Sequence, residues 1–334
     1  MINSIKHICS MKALARLSAA AIFAFGLAGP SARAQSPTAP MTYHTATVSG
    51  LKIFYREAGP KDAPTILLLH GYPSSSRMFA TLMPLLADRY HLIAPDYPGF
   101  GQSDAPPASQ FEYTFDHLAQ VMNDFTQQLG LRHYVLYQQD YGGPVGMRLA
   151  LAFPERVQAI IVQNAVVHED GLGAAWEIRK AFWRDRAAYE DMLITRFLSL
   201  SEARGRHLGS SPHPERYDPE VWQWEAAQLG RPDQRKIQSD LFYDYRTNLA
   251  SYPIWQLWLR RFQPPLLVLW GKYDSSFIVA EAEAYKRDVP GAEVHILEAG
   301  HFALDEKVEE IAQLVSEFLV KQKIGGLTRQ SVVR

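Results

Sequence analysis

Cysteine is almost absent from this chain of 334 residues: the single one is Cys9. No disulfide can form within the chain, and paired-thiol chemistry is excluded. Neither sign of charge is in excess, with 34 Lys and Arg against 35 Asp and Glu. The basic residues form no long run, so the electropositive footprint of a nucleic-acid binder is missing. After the N-terminal region no apolar run reaches the roughly 18 residues that a membrane span needs. His207 and His213 lie in a Gly/Ser/Pro-rich stretch without metal-ligand spacing. No glycine-rich loop has the strand and helix context of a phosphate or dinucleotide cradle. No G-x-S-x-G occurs anywhere, which removes the commonest turn that exposes a serine nucleophile. No metal and no cofactor are therefore expected.

What the chain does have begins with a leader-like N-terminus. Lys6, Lys12 and Arg16 precede an apolar stretch from Leu17 to Leu27, and Ala32-Arg33-Ala34 follows as a small-x-small cleavage site. The run is short for a bilayer. Residues 1–34 read as a signal peptide, leaving a mature chain from Gln35 with no cysteine and no membrane span. Removing Lys6, Lys12, Arg16 and Arg33 leaves a mildly acidic protein, consistent with an exported, periplasmic or secreted location.

The mature chain alternates strands and helices. Thr45–Val48, Leu51–Glu57, Thr65–Leu69, His91–Ala94, Tyr134–Tyr137 and Val157–Val162 read as strands. Thr114–Leu129 places Phe115, Leu118, Val121, Met122 and Phe125 on one helical face, and Gly142–Phe153 is a helix stopped by Pro154. The rhythm breaks after Asn164. Residues 165–260 are rich in Trp, Arg and Glu and read as amphipathic helices. Alternation resumes with Pro265–Trp270, a helix near Val279–Arg287, the strand Glu293–Leu297 and the helix Asp305–Val320. This predicts an α/β fold, a mostly parallel, doubly wound sheet. It is built from residues 35–164 and 261–322, with residues 165–260 inserted as a helical lid and residues 323–334 as a flexible tail.

The chemistry concentrates at strand ends. Tyr137-Gln138-Gln139-Asp140-Tyr141-Gly142-Gly143-Pro144 runs a strand into an Asp and then into a glycine-led helix. A tight strand-to-helix turn pushes its central side chain outward, and the following backbone N–H, that of Tyr141, can hold negative charge. An Asp here could also be a plain helix cap. His70-Gly71-Tyr72-Pro73 ends another strand and offers the Tyr72 N–H as a second donor. Asp274 and His301 each follow a later strand. The order nucleophile, acid, histidine is that of α/β-hydrolases.

On these motifs the chain from about 45 to 322 resembles α/β-hydrolases of the epoxide hydrolase and haloalkane dehalogenase branch. Asp96-Tyr97-Pro98-Gly99-Phe100-Gly101-Gln102-Ser103-Asp104 matches a loop of that family, with Asp96 and Asp104 read as structural. The resemblance implies Asp140 as nucleophile, Asp274 and His301 as its partners, and Tyr72 and Tyr141 as the oxyanion hole. It also implies a ring-opening Tyr in the lid: Tyr245, followed by Arg246, matches, and Tyr189 matches by position. Dehalogenases of the branch often carry Trp after the nucleophile and Asn after His-Gly; this chain has Tyr141 and Tyr72. Trp183 is the lid indole that could replace those halide donors. Fluoroacetate-type dehalogenases bind a carboxylate through arginines just after the nucleophile, which Tyr141 and Pro144 do not supply. The expected reaction is opening of a small apolar epoxide to a diol through an alkyl-enzyme ester. Haloalkane dehalogenation, another α/β-hydrolase reaction and a catalytically silent binding protein remain as alternatives. The oligomeric state is left open.

Overall fold

The computed structural model describes residues 40–325; the expected signal peptide and its cleavage site lie outside them. Eight strands among the described residues form one sheet. They are β1 (Thr42–Val48), β2 (Leu51–Ala58), β3 (Thr65–Leu69), β4 (His91–Pro95), β5 (Tyr134–Gln139), β6 (Val157–Gln163), β7 (Leu266–Gly271) and β8 (Glu293–Leu297). Their order is β1-β2-β4-β3-β5-β6-β7-β8. β1 and β2 pair antiparallel, as do β2 and β4, and every later pairing is parallel.

The inner parallel strands β3, β5 and β7 are apolar on both faces because both faces are covered, whereas β8 at the edge is half-buried. Side chains alternate between two cores, as a pleat of period two requires. Leu67 and Leu69 of β3, Tyr134 and Leu136 of β5, and Val268 and Trp270 of β7 enter one core. Ile66, Leu68, Val135, Tyr137, Leu267 and Leu269 enter the other. The first core is closed by α2 (Phe115–Gln128), α3 (Gly142–Ala152) and α9 (Ala280–Asp288), and the second by α1 (Met83–Leu86) and α10 (Leu304–Lys321). Thr114 caps α2 by accepting the His117 N–H at 3.2 Å.

Between β6 and β7 the chain forms α4 (Glu177–Arg184), α5 (Arg186–Phe197), α6 (Leu200–Leu208), α7 (Pro219–Leu229) and α8 (Gln234–Phe262). This stretch matches the strandless segment in the sequence, although α8 runs two residues past the expected boundary at 260 and carries Pro253 inside it. No described helix is long and apolar enough to cross a membrane. Ile324 packs against the second core; of the expected tail, residues 326–334 lie outside the described part.

The strand order reverses between β3 and β5, since β4 lies on one side of β3 and β5 on the other. Loops leaving β3 and β5 diverge there, and the crevice at such a switch point is where open parallel sheets place their ligands. The core on either face is close-packed, so a single truncation should be felt. Leu68→Ala, at a fully buried position, is expected to lower the unfolding free energy by about 2–5 kcal/mol, measured by urea denaturation.

Candidate active site

Asp140 occupies the turn from β5 into α3 with φ 48°, in the left-handed region. Such a backbone is strained for a residue with a Cβ and persists only where the surroundings fix it. Two glycines make the space. A Cβ on Gly142 would lie 2.1 Å from the Leu69 carbonyl oxygen, and one on Gly71 would lie 2.3 Å from Asp140 Cβ. The helix-cap alternative is set aside, because α3 has Tyr141 at its N-cap and no side-chain capping bond.

The two carboxylate oxygens of Asp140 have different surroundings. Oδ1 accepts the backbone N–H of Tyr72 at 3.0 Å and of Tyr141 at 2.7 Å. Oδ2 accepts from Arg206 Nη2 at 2.8 Å and lies 3.3 Å from His301 Nε2. Burial alone would raise the Asp140 pKa. The Arg206 charge, His301 and the Tyr72 N–H outweigh it and bring the carboxyl down to about 2.

His301 is fully buried, and its Nδ1 donates to Asp274 Oδ2 at 2.7 Å. Asp274 is held in turn: Oδ2 accepts from Asn164 Nδ2 at 2.8 Å, and Oδ1 accepts the N–H groups of Ser276 and Phe277. Burial works against a charged imidazole, but Asp274 beside it and the hydrogen bonds to Asp140 and Asp274 leave the His301 pKa above its ordinary value. With Nδ1 directed at Asp274, Nε2 is the ring atom that faces Asp140.

Asp140, Asp274, His301, Tyr72 and Tyr141 are thus brought together from positions up to 229 residues apart (301 minus 72). The other expected residues divide. Tyr245 of α8 lines the chamber beside Asp140, and burial keeps its phenol protonated. Trp183 does not offer its indole to the chamber: Nε1 donates to the Phe242 carbonyl at 2.7 Å, and the ring stacks behind Tyr245. Tyr189 is half-buried on α5, packed against the larger core away from the chamber. Tyr189 matched by position only and Trp183 was offered only as a lid indole; both pack within the helices instead of lining the chamber. Asp96 and Asp104 are structural as read, since they accept backbone N–H groups of Ser76, Gln102 and Lys52.

The chamber is walled by Tyr72, Tyr141, Trp176, Phe242, Tyr245 and Phe277, but two arginines, Arg179 of α4 and Arg206 of α6, also enter it. Its volume is about 10 Å³, the space of about one water molecule. A cleft of about 620 Å³ lined by Ile178, Phe197, Glu202 and Ser276 adjoins it and shares Arg179. The arginines went unread in the sequence because a Trp- and Arg-rich helical stretch looks alike whichever face is inward. Asn164 was noticed only as the place where the rhythm ends. It takes φ 45° and pins Gly271 through both its amide atoms, tying β6 to the acid's loop.

A sheet edge that carries a carboxylate turn, two backbone donors and an Asp–His pair defines the class. An alpha/beta hydrolase fold family model matches residues 64–308, and the chain belongs to that family as a hydrolase. An uncharacterised hydrolase of Saccharomyces cerevisiae is 40% identical over 274 residues, covering 80% of this chain and 94% of that protein. A haloalkane dehalogenase of Psychrobacter cryohalolentis is 27% identical over 282 residues, covering 81% and 88%. Among solved structures, a haloalkane dehalogenase from Bradyrhizobium elkani aligns with TM-score 0.69 at 24% identity, covering 85% of this chain and 99% of that one. An epoxide hydrolase aligns with TM-score 0.69 at 18% identity, covering 84% and 99%. These two show a shared fold.

The helices α6 and α7 are anchored to the His301 loop by a buried ion cluster. His207 Nε2 meets Glu225 at 2.8 Å, Nδ1 meets Asp305 at 2.6 Å, and the ring stacks on Phe302. Burial opposes its charge, but Glu225 and Asp305 push its pKa up to about 10. A folded-state pKa above the ordinary 6.5 stabilises fully below pH 6.5, and that contribution is lost as pH rises toward 10. His207→Leu is expected to remove about 3–5 kcal/mol at pH 6 and clearly less at pH 10, read by chemical denaturation at the two pH values.

Proposed function

We propose that this hydrolase attacks its substrate with Asp140 and passes through an alkyl-enzyme ester, and that its reaction is the opening of an epoxide to a diol. The observation that carries the reading is the division of labour between the two oxygens of Asp140. Oδ2 is turned toward His301 and the chamber, while Oδ1 rests on the N–H groups of Tyr72 and Tyr141. If Oδ2 bonds to a substrate carbon, Oδ1 becomes the ester carbonyl oxygen, already seated in an oxyanion hole.

In the first step Oδ2 displaces the ring oxygen from carbon. One C–O bond forms, one breaks, and the ring oxygen takes a proton from the Tyr245 phenol. In the second step His301 Nε2 removes a proton from water, and the hydroxide adds to Asp140 Cγ. Negative charge gathers on Oδ1 between the two N–H donors. Collapse breaks the Cγ–Oδ2 bond, so Oδ2 leaves as the second hydroxyl of the diol with the proton from His301, while the proton left on the new Asp140 carboxyl restores Tyr245 through solvent. The water oxygen stays in Asp140 after one turnover. Because Asp140 is ionised throughout the neutral range, the histidine is needed only for the second step. Helices α4 to α8 act as the lid that keeps bulk water from the ester.

The second reading is haloalkane dehalogenation, favoured by the likeness to the Psychrobacter cryohalolentis enzyme. Against it, the two indoles nearest the chamber are engaged: Trp176 donates to the Ser276 carbonyl and Trp183 to that of Phe242. A departing halide would lack the indole donors it uses elsewhere in the branch.

Incubation with styrene oxide in ¹⁸O water, beside 1-bromobutane with bromide detection, tests the choice. Diol formation with label in Asp140 is expected; bromide release without diol reverses the assignment, and turnover of neither with no label removes the carboxylate mechanism. His301→Gln should accumulate an intact substrate adduct on Asp140 in mass spectrometry. Where hydrolysis of the ester limits turnover, kcat should rise with pH through one ionisation above 6.5, because the base form of His301 appears only above its raised pKa. A flat profile across that range would assign the base elsewhere.

A further inference from the structure

The chamber beside Asp140 holds more positive charge than its own residues balance. Arg206 is 3% exposed and is paired, with Nη2 on Asp140 Oδ2 and Nη1 on Ser276 Oγ at 3.0 Å. Arg179 is 6% exposed and makes no ion pair and no hydrogen bond among the described residues. Its Cζ lies 4.2 Å from the ring centre of Trp176 and 4.9 Å from that of Phe197. Those faces attract a cation only weakly compared with the loss of water around it. Burial and the neighbouring Arg206 bring its pKa down to about 10, which still leaves it charged at neutral pH. A guanidinium almost wholly removed from water, with its Nε unpartnered and no carboxylate beside it, is an expensive arrangement unless an anion joins it from the cleft. Arg179 lines both the inner chamber and the cleft outside it, so an anion arriving from the cleft meets it first.

We infer that Arg179 and Arg206 form an anion subsite that takes the carboxylate of the substrate, so that the enzyme acts on short acids whose reactive carbon lies a few bonds from that carboxylate. The inference rests on Asp140 being the attacking group. Three observations favour a carboxylate. Arg206 already binds one, that of Asp140, at 2.8 Å, and the planar guanidinium fork matches a carboxylate in two-point contact. The chamber is small and otherwise aromatic, so it disfavours a long acid, and Arg179 faces the wider cleft from which a short one would enter. Charge balance points the same way. Ester formation at Oδ2 removes the negative charge that now pairs with Arg206, and a substrate carboxylate would replace it. The same exchange frees Oδ2: Arg206 turns from Asp140 to the incoming acid, leaving the oxygen open to the carbon. Specificity would then rest on the cost of leaving Arg179, and after ester formation Arg206 as well, unpaired with a neutral substrate, a penalty that apolar contacts do not offset.

The binding test uses compounds that cannot react. Cyclopropanecarboxylate and its neutral shape-match cyclopropanecarboxamide are titrated into the full chain by calorimetry. The acid is expected to bind at least about tenfold tighter, the effect of a single charge-assisted contact. Arg179→Met should abolish that preference, and Arg179→Lys should keep part of it. Because Arg179 is unpaired, the Met variant should melt no lower than the parent; a fall of several degrees would assign the arginine a structural role and overturn the subsite. Equal binding of acid and amide by the parent protein overturns it without reference to any variant. Bromide binding as tightly as the carboxylate would overturn it in favour of a leaving-group site. Turnover is read separately with glycidate and glycidamide, the acid being preferred in kcat/KM by tenfold or more. An acid preference in binding with neither epoxide opened supports the subsite while removing the epoxide reading. Glycidamide opened as fast as glycidate removes the subsite and leaves epoxide opening in place.

Discussion

A carboxylate shut away from water is unfavourable by several kcal/mol unless donors and opposite charge stand in for the solvent. Asp140, 3% exposed at the end of β5, is held under that constraint. Much of the local structure exists to meet it. Two backbone N–H groups, from turns after β3 and β5, satisfy one oxygen, and a guanidinium carried in by α6 satisfies the other. The glycines at 71 and 142 are required because the turn that delivers Asp140 leaves no room for a Cβ beside it. The result is an ionised oxygen poised beside an imidazole, in a chamber too tight for bulk solvent.

The same constraint explains why the helical insertion cannot be treated as a detachable cover. Tyr72, whose N–H holds Oδ1, sends its hydroxyl to the Phe197 carbonyl at the end of α5, at 2.6 Å. Arg206 stands on α6, whose last turn carries His207, and His207 is clamped to Asp305 below the loop that carries His301. Donor, cation and imidazole therefore share supports. A shift of α6 would change the charge on Asp140, the environment of His301 and the width of the chamber together. The arginine pair makes this coupling chemically pointed, because one guanidinium is neutralised by the protein and the other is not.

Much of this was legible in the residues. The eight strands were readable within a few residues at each end, since parallel strands buried on both faces are short continuous apolar runs bounded by turn residues. The Asp140 turn, the Asp274 and His301 placements and the Tyr72 donor followed from motifs at strand ends, where topology constrains position tightly. The insertion was legible only as helical. Tyr245 lines the chamber, whereas Trp183 and Tyr189 do not, and Arg179 and Arg206 were not singled out. An amphipathic pattern tells which residues share a face; it does not tell which of several packed helices turns that face to the chamber. The chamber's walls are aromatic, but two arginines enter it.

The residues alone determined the α/β alternation, the carboxylate on the strand-to-helix turn and the strand-end positions of Asp274 and His301, because each is a local pattern of burial or of turn residues. Tertiary structure alone decided which oxygen of Asp140 faces the histidine, which indoles are already engaged, and that one guanidinium pairs with Asp140 while a second, from another helix, enters the same chamber without a carboxylate. Those facts depend on distances between segments that no local pattern encodes, and a buried charge is balanced or unbalanced only by what the whole fold brings within a few ångströms of it.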